Sequence, residues 1–394
     1  MDGGEKSDLI CAWALEEGFD RAGVAVLDRS EHEEAFERWL ERGEHGEMSY
    51  LEKRRDVRLD PRLILDGARS AVCVALHYHP LRDSVESEGD LWPRVARYAR
   101  GSDYHGVMER RLEALAERIC AAFPGTGTRL YVDTGPVLER ELAARAGIGV
   151  AGKNTNLLHP ESGSWFLLGE LFTTLELRPD PPISDLCGSC TRCLEECPTG
   201  AFPEPYRLDS NRCISYWTIE HRGPIPSHVR SSIGDWVFGC DVCQEVCPVN
   251  PGRDLWPEGE FHLPKRRADL DLASLLSLER ERYVEIFRGT AMKRAKLEGL
   301  KRNAAVAMGN RGDKRYLPAL SQALCDADPT VRGHAAWALG RIGNEAAVEV
   351  LESALGDEEH PVTRGEITAS LQVLRDVGGQ KQNQAQADLP TRVD

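Results

Sequence analysis

The sequence predicts a multidomain protein with an α/β domain, a small unit that binds two iron–sulfur clusters, and an all-α domain of helical repeats. Amphipathic helical patterns alternate with strand-like runs such as SAVCVALHY over residues 1–182. Eight of the twelve cysteines lie between residues 187 and 247, which indicates metal binding rather than disulfides. RNAAVAMGNRGD at 302–313 recurs as GHAAWALGRIGN at 333–344, as expected for stacked HEAT-like helix pairs.

Composition favours a cytoplasmic protein that does not enter a membrane. Hydrophobic residues make up 41% and charged residues 29% of the chain, and no apolar run approaches the ~20 residues of a membrane helix. The N-terminus lacks the basic-then-apolar pattern of a secretory signal. The net charge of −15 argues against indiscriminate nucleic-acid binding. However, residues 261–302 carry a local excess of positive charge, which is either a footprint for a polyanion or the solvated face of ordinary helices.

The segment CGSCTRCLEECPTG has the cysteine spacing of a bacterial ferredoxin. Cys187, Cys190, Cys193 and Cys197 are spaced C-x2-C-x2-C-x3-C and are followed by proline, and the fourth cysteine of such a run ligates the other cluster. The first three cysteines therefore need a fourth ligand from elsewhere in the chain. Cys247 is the symmetric choice, because it is followed by a proline as Cys197 is. Zinc is disfavoured because zinc sites usually separate their two C-x2-C pairs by a dozen or more residues, whereas the cysteines here form one continuous run.

The second cluster has three evident ligands and needs a fourth. Cys197, Cys240 and Cys243 remain, but Val237 stands where a ferredoxin motif would begin with another cysteine. Cys213 is the one cysteine left within the unit, so we predict that it completes the second cluster. The cysteines outside the unit are predicted to be small buried hydrophobic residues: Cys11, Cys73, Cys120 and Cys325.

These patterns divide the chain into four segments. The α/β domain covers residues 1–182 and ends at the turn PDPPISD, and the ferredoxin-like unit covers 183–255. The helical repeats cover 256–377, and the polar segment 378–394 is predicted to be a disordered tail.

The glycine-rich segment GIGVAGKN at 147–154 is not predicted to bind a nucleotide. It matches G-x-G-x-x-G and nearly matches a phosphate-binding loop, but both motifs need a preceding strand and a following helix. Here a helical pattern precedes the glycines and a non-helical one follows. Lys153 and Asn154 remain as polar donors on a loop.

Three longer segments together carry a family resemblance. They are YVDTGPVLERELAARAGIGVAGKNTNL, RCISYWTIEHRGPIP and FGCDVCQEVCPVN. With the ferredoxin run, they resemble the epoxyqueuosine reductases, which are cobalamin- and iron–sulfur-dependent tRNA-modifying enzymes. The resemblance covers roughly residues 48–310. It implies reduction of epoxyqueuosine to queuosine at the tRNA wobble position. The implied cofactor is base-off cobalamin, which lies between the N-terminal domain and two 4Fe–4S clusters that relay electrons to it.

The resemblance also implies roles for individual residues. Asp133, which ends the strand-like run RLYVD, is the implied proton donor and needs a raised pKa to act as an acid; the alternative is a helix cap. The implied cobalamin contacts are Arg58, Asp133, Arg140, Lys153, Asn154, Ser215 and Asp241. The implied tRNA contacts are His221, Arg222, Lys293, Arg294, Lys296, Lys301, Arg302 and Arg332. Trp217 is either a base-stacking group or core.

The expected partners are tRNA carrying epoxyqueuosine and a low-potential electron donor of flavodoxin or ferredoxin type, and a monomer suffices. Two other functions are open. A two-cluster electron-transfer protein would leave the N-terminal domain and the repeats without a purpose. A cobalamin-dependent reductive dehalogenase would typically carry a twin-arginine signal, which the N-terminal residues do not show.

Overall fold

The structure is a computed structural model that describes residues 1–78, 93–250, 270–343 and 345–387. The predicted boundary at 255/256 and the basic residues at 265–267 lie outside these residues. Within them, no helix is long and apolar enough to cross a membrane. The three predicted kinds of architecture are all present, in the predicted order along the chain.

The N-terminal part consists of short helices around a sheet. Its elements are α1 Gly3–Glu16, β1 Arg21–Val26, α2 Glu33–Glu41, α3 Arg55–Leu59, β2 Ser70–His77, β3 Arg94–Val95, α4 Tyr104–Ala122, β4 Thr128–Tyr131, α5 Glu139–Arg145, β5 Val150–Ala151, β6 Leu157–Leu158 and β7 Phe166–Thr173. The main sheet has the order β1-β2-β7-β4, and every neighbouring pair is antiparallel. The α/β prediction is confirmed, and the sheet is antiparallel.

Strand β2 shows why this sheet is covered on both faces. All eight of its residues are buried, and successive side chains point to opposite faces. Val72, Val74 and Leu76 pack in one core cluster with apolar residues of α1 and α4. Ala71, Cys73 and Ala75 pack in a second cluster beneath α5. The sheet therefore lies between α1 and α4 on one side and α5 on the other.

The cysteine-rich unit is built from short turns. Its elements are α6 Arg192–Glu195, a π-helical turn Tyr216–Glu220, α7 Ser227–Arg230, β8 Trp236–Phe238 and α8 Val242–Glu245. Helices α6 and α8 each begin within a C-x2-C segment, and they contact each other. Strand β8 pairs in parallel with β3, which joins this unit to the N-terminal domain.

The C-terminal part is wholly helical. Its helices are α9 Leu272–Leu276, α10 Arg280–Phe287, α11 Lys296–Arg311, α12 Leu317–Ala323, α13 Pro329–Ile342, α14 Glu345–Asp357 and α15 Pro361–Ala387. The sequence repeat corresponds to α11 and α13, which pack together, and α13 packs in turn on α15. The backbone of residues 378–387, placed by the sequence in a disordered tail, continues α15; residues 388–394 lie outside the described residues.

Helix α11 contains two glycines whose surroundings differ. Replacing each of them with alanine tests the packing of α11 on α13. A Cβ on Gly309 would lie 2.9 Å from Ala338 Cα and 2.6 Å from the Trp337 ring, whereas a Cβ on Gly299 would meet Ala295 Cβ at 3.7 Å. We expect Gly309→Ala to lower the free energy of unfolding by about 1–3 kcal/mol through overpacking against α13. Gly299→Ala is the control and should raise it by about 0.5–1 kcal/mol. Denaturant unfolding measures both, and a stable Gly309→Ala protein would contradict the close packing.

Candidate active site

The eight clustered cysteines form two groups of electrostatic neighbours. Burial raises the pKa of the Cys193 thiol most, and the thiols that raise it further are Cys247, Cys187 and Cys190. Burial likewise raises the pKa of the Cys243 thiol, and the thiols that raise it further are Cys213, Cys240 and Cys197. Each group contains the four ligands predicted for one cluster, Cys213 included.

Hydrogen bonds to sulfur support a cluster at each group. The amide of Lys153 donates to Cys187 Sγ at 3.4 Å, and that of Ala201 donates to Cys197 Sγ at 3.3 Å. Such N–H donors stabilise thiolate ligands and tune cluster potentials. Among the described residues, no three His, Cys, Asp or Glu side chains form a group that could hold a single metal ion, and a 4Fe–4S cluster would not need such a group, because each of its four irons takes one thiolate. The donor set fits two 4Fe–4S clusters.

The glycine loop, residues 147–156, connects the two thiol groups. Lys153 Nζ donates to the carbonyls of Gly188 at 2.7 Å and Cys190 at 2.9 Å. Asn154 is buried and donates to the carbonyl of Cys243 at 3.1 Å. The same loop lines a large cavity with Gly149, Val150, Ala151, Gly152 and Thr155. The loop therefore separates the clusters from the cavity by little more than its own backbone.

The cavity has a volume of about 2480 Å³ and is formed by all three parts of the chain. Such a volume exceeds the roughly 300–1000 Å³ of a typical small-ligand pocket. The N-terminal domain contributes Arg58, Asp133 and Arg140, the cysteine-rich unit contributes Tyr206, and the repeat domain contributes the basic segment 293–296. The site can therefore hold a ligand much larger than a typical metabolite.

Two arginines give this cavity cationic donors. Arg58 is buried and donates from one terminal nitrogen to the carbonyl of Val137, while its buried Nε has no hydrogen-bond partner among the described residues. Arg140 is exposed and donates to the carbonyl of Thr155. A buried donor without an acceptor implies a ligand or water at that point. Cobalamin carries amide groups around its ring and a phosphate in its tail, and these acceptors fit the two guanidinium donors.

The other predicted cobalamin contacts do not line the cavity. Lys153 and Asn154 bind the cluster loops as described above. Ser215 hydrogen-bonds the Cys213 thiol, which lowers the pKa of that thiol against the larger effect of burial. Asp241 is buried and accepts from the amide of Arg97 at 2.8 Å, and burial raises its pKa to about 6. These four residues therefore lie on the cluster side of the site.

Asp133 has a strained backbone beside the cavity. It follows β4 with φ of +57°, which is unusual for a residue other than glycine. Its side chain is 56% exposed, and Oδ2 lies 3.2 Å from His105 Nε2. Helix α5 begins at Glu139, and the N-cap of α5 is Leu138. Asp133 therefore does not cap that helix, and the helix-cap alternative is wrong.

The electrostatics of Asp133 differ from the expectation. Burial raises its pKa, but the hydrogen bond and positive charge of His105, with Tyr104 and Arg294, lower it more, so that the net shift is downward. Asp133 therefore lacks the raised pKa that an acid near neutral pH was expected to need. Burial and the charge of Asp133 instead raise the pKa of Glu139 to about 8. Glu139 accepts the amide N–H of Asp133 at 2.5 Å.

Arg302 is not a surface residue, and its predicted contact with tRNA is corrected by the structure. Only 1% of its surface is exposed. Its guanidinium donates to the carbonyls of Trp217 at 2.7 Å, His221 at 3.0 Å and Gly223 at 2.8 Å. Because these carbonyls hold the guanidinium in the interior, it cannot reach a phosphate. It anchors the segment 217–223 instead.

Several other predicted tRNA contacts are already paired within the protein. His221 is buried, with its ring nitrogens at Glu47 and the carbonyl of Pro224. Lys301 pairs with Asp326, and Arg332 makes a two-pronged pair with Glu358. Arg222 is exposed and donates to the carbonyl of Ile219. Trp217 is buried, and its indole N–H donates to the carbonyl of Asn211, which favours the core role.

The basic segment 293–296 is the part of the predicted tRNA surface that reaches the cavity. Lys293 Nζ lies 2.7 Å from Asp103 Oδ2, and Arg294 pairs with Glu220. Lys296 has no ion pair among the described residues. Sequence reasoning missed Asp103, His105 and Glu139. The motif SDYH, with an acid two residues before a histidine at a helix start, was the available indication for the first two.

The fold and the site define an iron–sulfur oxidoreductase with a helical-repeat domain. The family described as "Epoxyqueuosine reductase QueG, DUF1730" matches residues 58–134, "4Fe-4S double cluster binding domain" matches 186–250, and "HEAT repeats" matches 291–372. The epoxyqueuosine reductase of Pseudomonas aeruginosa is 41% identical over 336 residues, which cover 84% of this chain and 93% of that protein. That of Escherichia coli is 36% identical over 344 residues, covering 86% and 90%. The chain belongs to the epoxyqueuosine reductase family.

Solved structures agree with this assignment. The Bacillus subtilis epoxyqueuosine reductase, solved with its catalytic aspartate loop swung out of the active site, is 33% identical, with a TM-score of 0.87 over 94% of this chain and 99% of that one. An epoxyqueuosine reductase solved with an epoxyqueuosine-modified tRNA-Tyr stem loop has a TM-score of 0.84 over the same shares, also at 33% identity.

Replacing Cys213 tests the assignment of the second cluster. We expect Cys213→Ala to lose one cluster and keep the other, because the first group retains all four thiolates. Iron analysis and electron paramagnetic resonance of the reduced protein measure the loss. Cys325→Ala is the control, since Cys325 is exposed and the prediction that it is buried is wrong. Retention of eight irons in Cys213→Ala would refute the assignment.

Proposed function

We propose that this protein reduces epoxyqueuosine in tRNA to queuosine, with cobalamin in the cavity and electrons supplied through two 4Fe–4S clusters. The observation that carries the proposal is the position of Asp133, half-exposed on a cavity built from all three parts of the chain. Family membership supplies the substrate class. A simple electron-transfer protein needs no such cavity, and the cavity therefore favours the reductase.

Different residues around the cavity bind the cofactor and donate the proton. Cobalamin, when bound, supplies the reduced cobalt that cleaves a carbon–oxygen bond. Arg58 and Arg140 hold its polar groups, and Asp133 hands a proton to the departing oxygen. The glycine loop lines the cavity, and its Lys153 and Asn154 bind backbone carbonyls of the two cysteine loops. The loop therefore connects the cavity wall to the predicted cluster sites. The protein thus binds, orients and protonates.

The repeat domain is proposed to position the tRNA. Lys293, Arg294 and Lys296 line the cavity from the repeat domain, and cationic side chains in such a position bind phosphates. Arg222 is exposed and extends this surface. From the tRNA substrate we infer a cytoplasmic enzyme, with a flavodoxin- or ferredoxin-type protein as its electron donor. A monomer is sufficient for this function, because residues of one chain line the cavity.

The reaction itself is tested with anaerobically purified, cobalamin-loaded and reduced protein. We expect it to show corrinoid and iron–sulfur absorbance, and to convert epoxyqueuosine in tRNA to a nucleoside lighter by one oxygen atom in mass spectrometry. Asp133→Asn should keep both cofactor spectra while single-turnover conversion falls by about 100-fold or more, because a positioned acid contributes about that much. No oxygen loss with the wild type would refute the function, and full activity of Asp133→Asn would refute the role of Asp133.

The tRNA surface is tested with two lysines of the repeat domain. Lys296→Gln should weaken tRNA binding and reduce the slope of log affinity against log salt by about 1, because one phosphate contact is lost. Lys314→Gln is the control, since Lys314 is exposed and does not line the cavity. Fluorescence anisotropy at several salt concentrations measures both. Equal slopes for Lys296→Gln and the wild type would remove Lys296 from the surface.

Arg302 tests the correction made above. Arg302→Ala should lower the free energy of unfolding by about 3 kcal/mol or more, because it leaves three buried carbonyls without their charged donor. Denaturant unfolding measures this loss, and Lys314→Gln again serves as the control. A fully stable Arg302→Ala protein with weakened tRNA binding would restore the phosphate role.

A further inference from the structure

The proposed reaction needs more protons than Asp133 can hold. Removing the oxygen of an epoxide to leave a carbon–carbon double bond consumes two electrons and two protons and releases water. One carboxyl group carries one proton. Under the proposed function, Asp133 can therefore supply both protons only if it is reloaded within a single turnover, and the downward shift of its pKa means that the free enzyme does not hold a proton there near neutral pH.

His105 stands in contact with Asp133 on the first turn of α4. Its Nε2 lies 3.2 Å from Asp133 Oδ2, and its Nδ1 lies 2.7 Å from Asp103 Oδ1. Because each ring nitrogen faces a carboxylate oxygen, both nitrogens donate only in the doubly protonated imidazolium. The ring stacks on Tyr104 with centroids 4.1 Å apart. The site thus holds one extra proton in a fixed position behind Asp133.

We propose that His105, oriented by Asp103, is the proton store that reloads Asp133 during each turnover, an inference that rests on the proposed function. In the reloading step, the Nε2–H bond of the imidazolium breaks and an O–H bond forms at Asp133 Oδ2. Asp133 then passes this proton to the leaving oxygen, while the electrons come from the iron–sulfur clusters. The neutral imidazole regains a proton from solvent, to which its side chain is 26% exposed.

The charged groups around His105 support this assignment. Burial lowers the pKa of His105, but its hydrogen bonds to Asp103 and Asp133 outweigh burial and raise the pKa to about 9. From the other elements, Glu139 faces this group from α5, Lys293 pairs with the second oxygen of Asp103, and Arg294 acts on Asp133. Because the pKa is raised, the ring is charged below about pH 9 and loses its proton above that pH.

Glu139 is the competing proton store. Its pKa is raised to about 8, and it also lines the cavity. However, its carboxyl accepts the backbone N–H of Asp133, whereas His105 contacts the Asp133 carboxylate itself. A proton leaving Glu139 would have no direct hydrogen bond to Asp133 Oδ2 along which to move. The geometry therefore favours His105.

The pH dependence of single turnover tests the proposal. With reduced holoenzyme and epoxyqueuosine tRNA, the wild-type rate should stay level up to about pH 9, the pKa of His105, and fall above it. His105→Gln should reduce the rate by about 100-fold at neutral pH, and its decline should begin at a clearly lower pH. Added imidazole should restore part of the rate of His105→Ala. His228→Gln is the control, since His228 is exposed and lies outside the cavity, and it should keep the wild-type profile.

A second measurement needs no substrate. Nuclear magnetic resonance of histidine-labelled protein should show His105 titrating near pH 9, and Asp103→Asn should move this titration toward about 6.5, the value of a free histidine. An active wild type with an unchanged pH profile in His105→Gln, or a His105 that titrates near 6.5, would overturn the proposal. An inactive wild type would instead count against the proposed function.

Discussion

The buried guanidinium of Arg302 is the interaction on which the arrangement of the three parts depends. Its carbonyl partners belong to the π-helical turn and the segment that follows it. The adjacent Asn303 donates to the carbonyls of Thr218 and Val237, and β8 pairs in turn with β3 of the N-terminal domain. Two neighbouring residues of α11 therefore tie the repeats, the cysteine-rich unit and the N-terminal domain together around the cavity. A buried charge is tolerated here because strong acceptors surround it.

The sequence allowed the fold class and the division of the eight cysteines into two neighbouring groups to be predicted, because both depend largely on local spacing. A C-x2-C-x2-C-x3-C run positions thiolates almost independently of the remaining chain. Cys213 could be selected because it was the one cysteine of the unit that had not been assigned to a cluster. The strand-like runs SAVCVALHY and RLYVD also correspond to β2 and β4. The antiparallel order of the sheet could not be predicted, because pairing is decided by contacts far apart in sequence.

The predicted cationic and polar contacts were less reliable for a physical reason. A lysine or arginine has the same sequence signature whether it faces a ligand or a protein acceptor. Arg302 and Arg332 donate hydrogen bonds to acceptors within the protein, and Lys153 donates to a carbonyl of a cysteine loop. The pKa of Asp133 depends on His105, which is 28 residues away, so no local pattern could reveal its direction. The resemblance identified the important segments, whereas the contacts decided what each residue does.

Closure of the segment between Cys213 and Cys240 has a consequence for oxidative damage. If Cys213 and Cys240 ligate one cluster, as predicted, the inorganic core would act as a crosslink that closes this segment, as a disulfide would. The segment includes Trp217, the carbonyls that bind Arg302, and Glu220, the ion-pair partner of Arg294 at the cavity rim. Destruction of that cluster by oxygen would therefore interrupt the electron supply and also loosen the wall that receives the substrate. Electron supply and the shape of this wall would then be lost together, through a single chemical event.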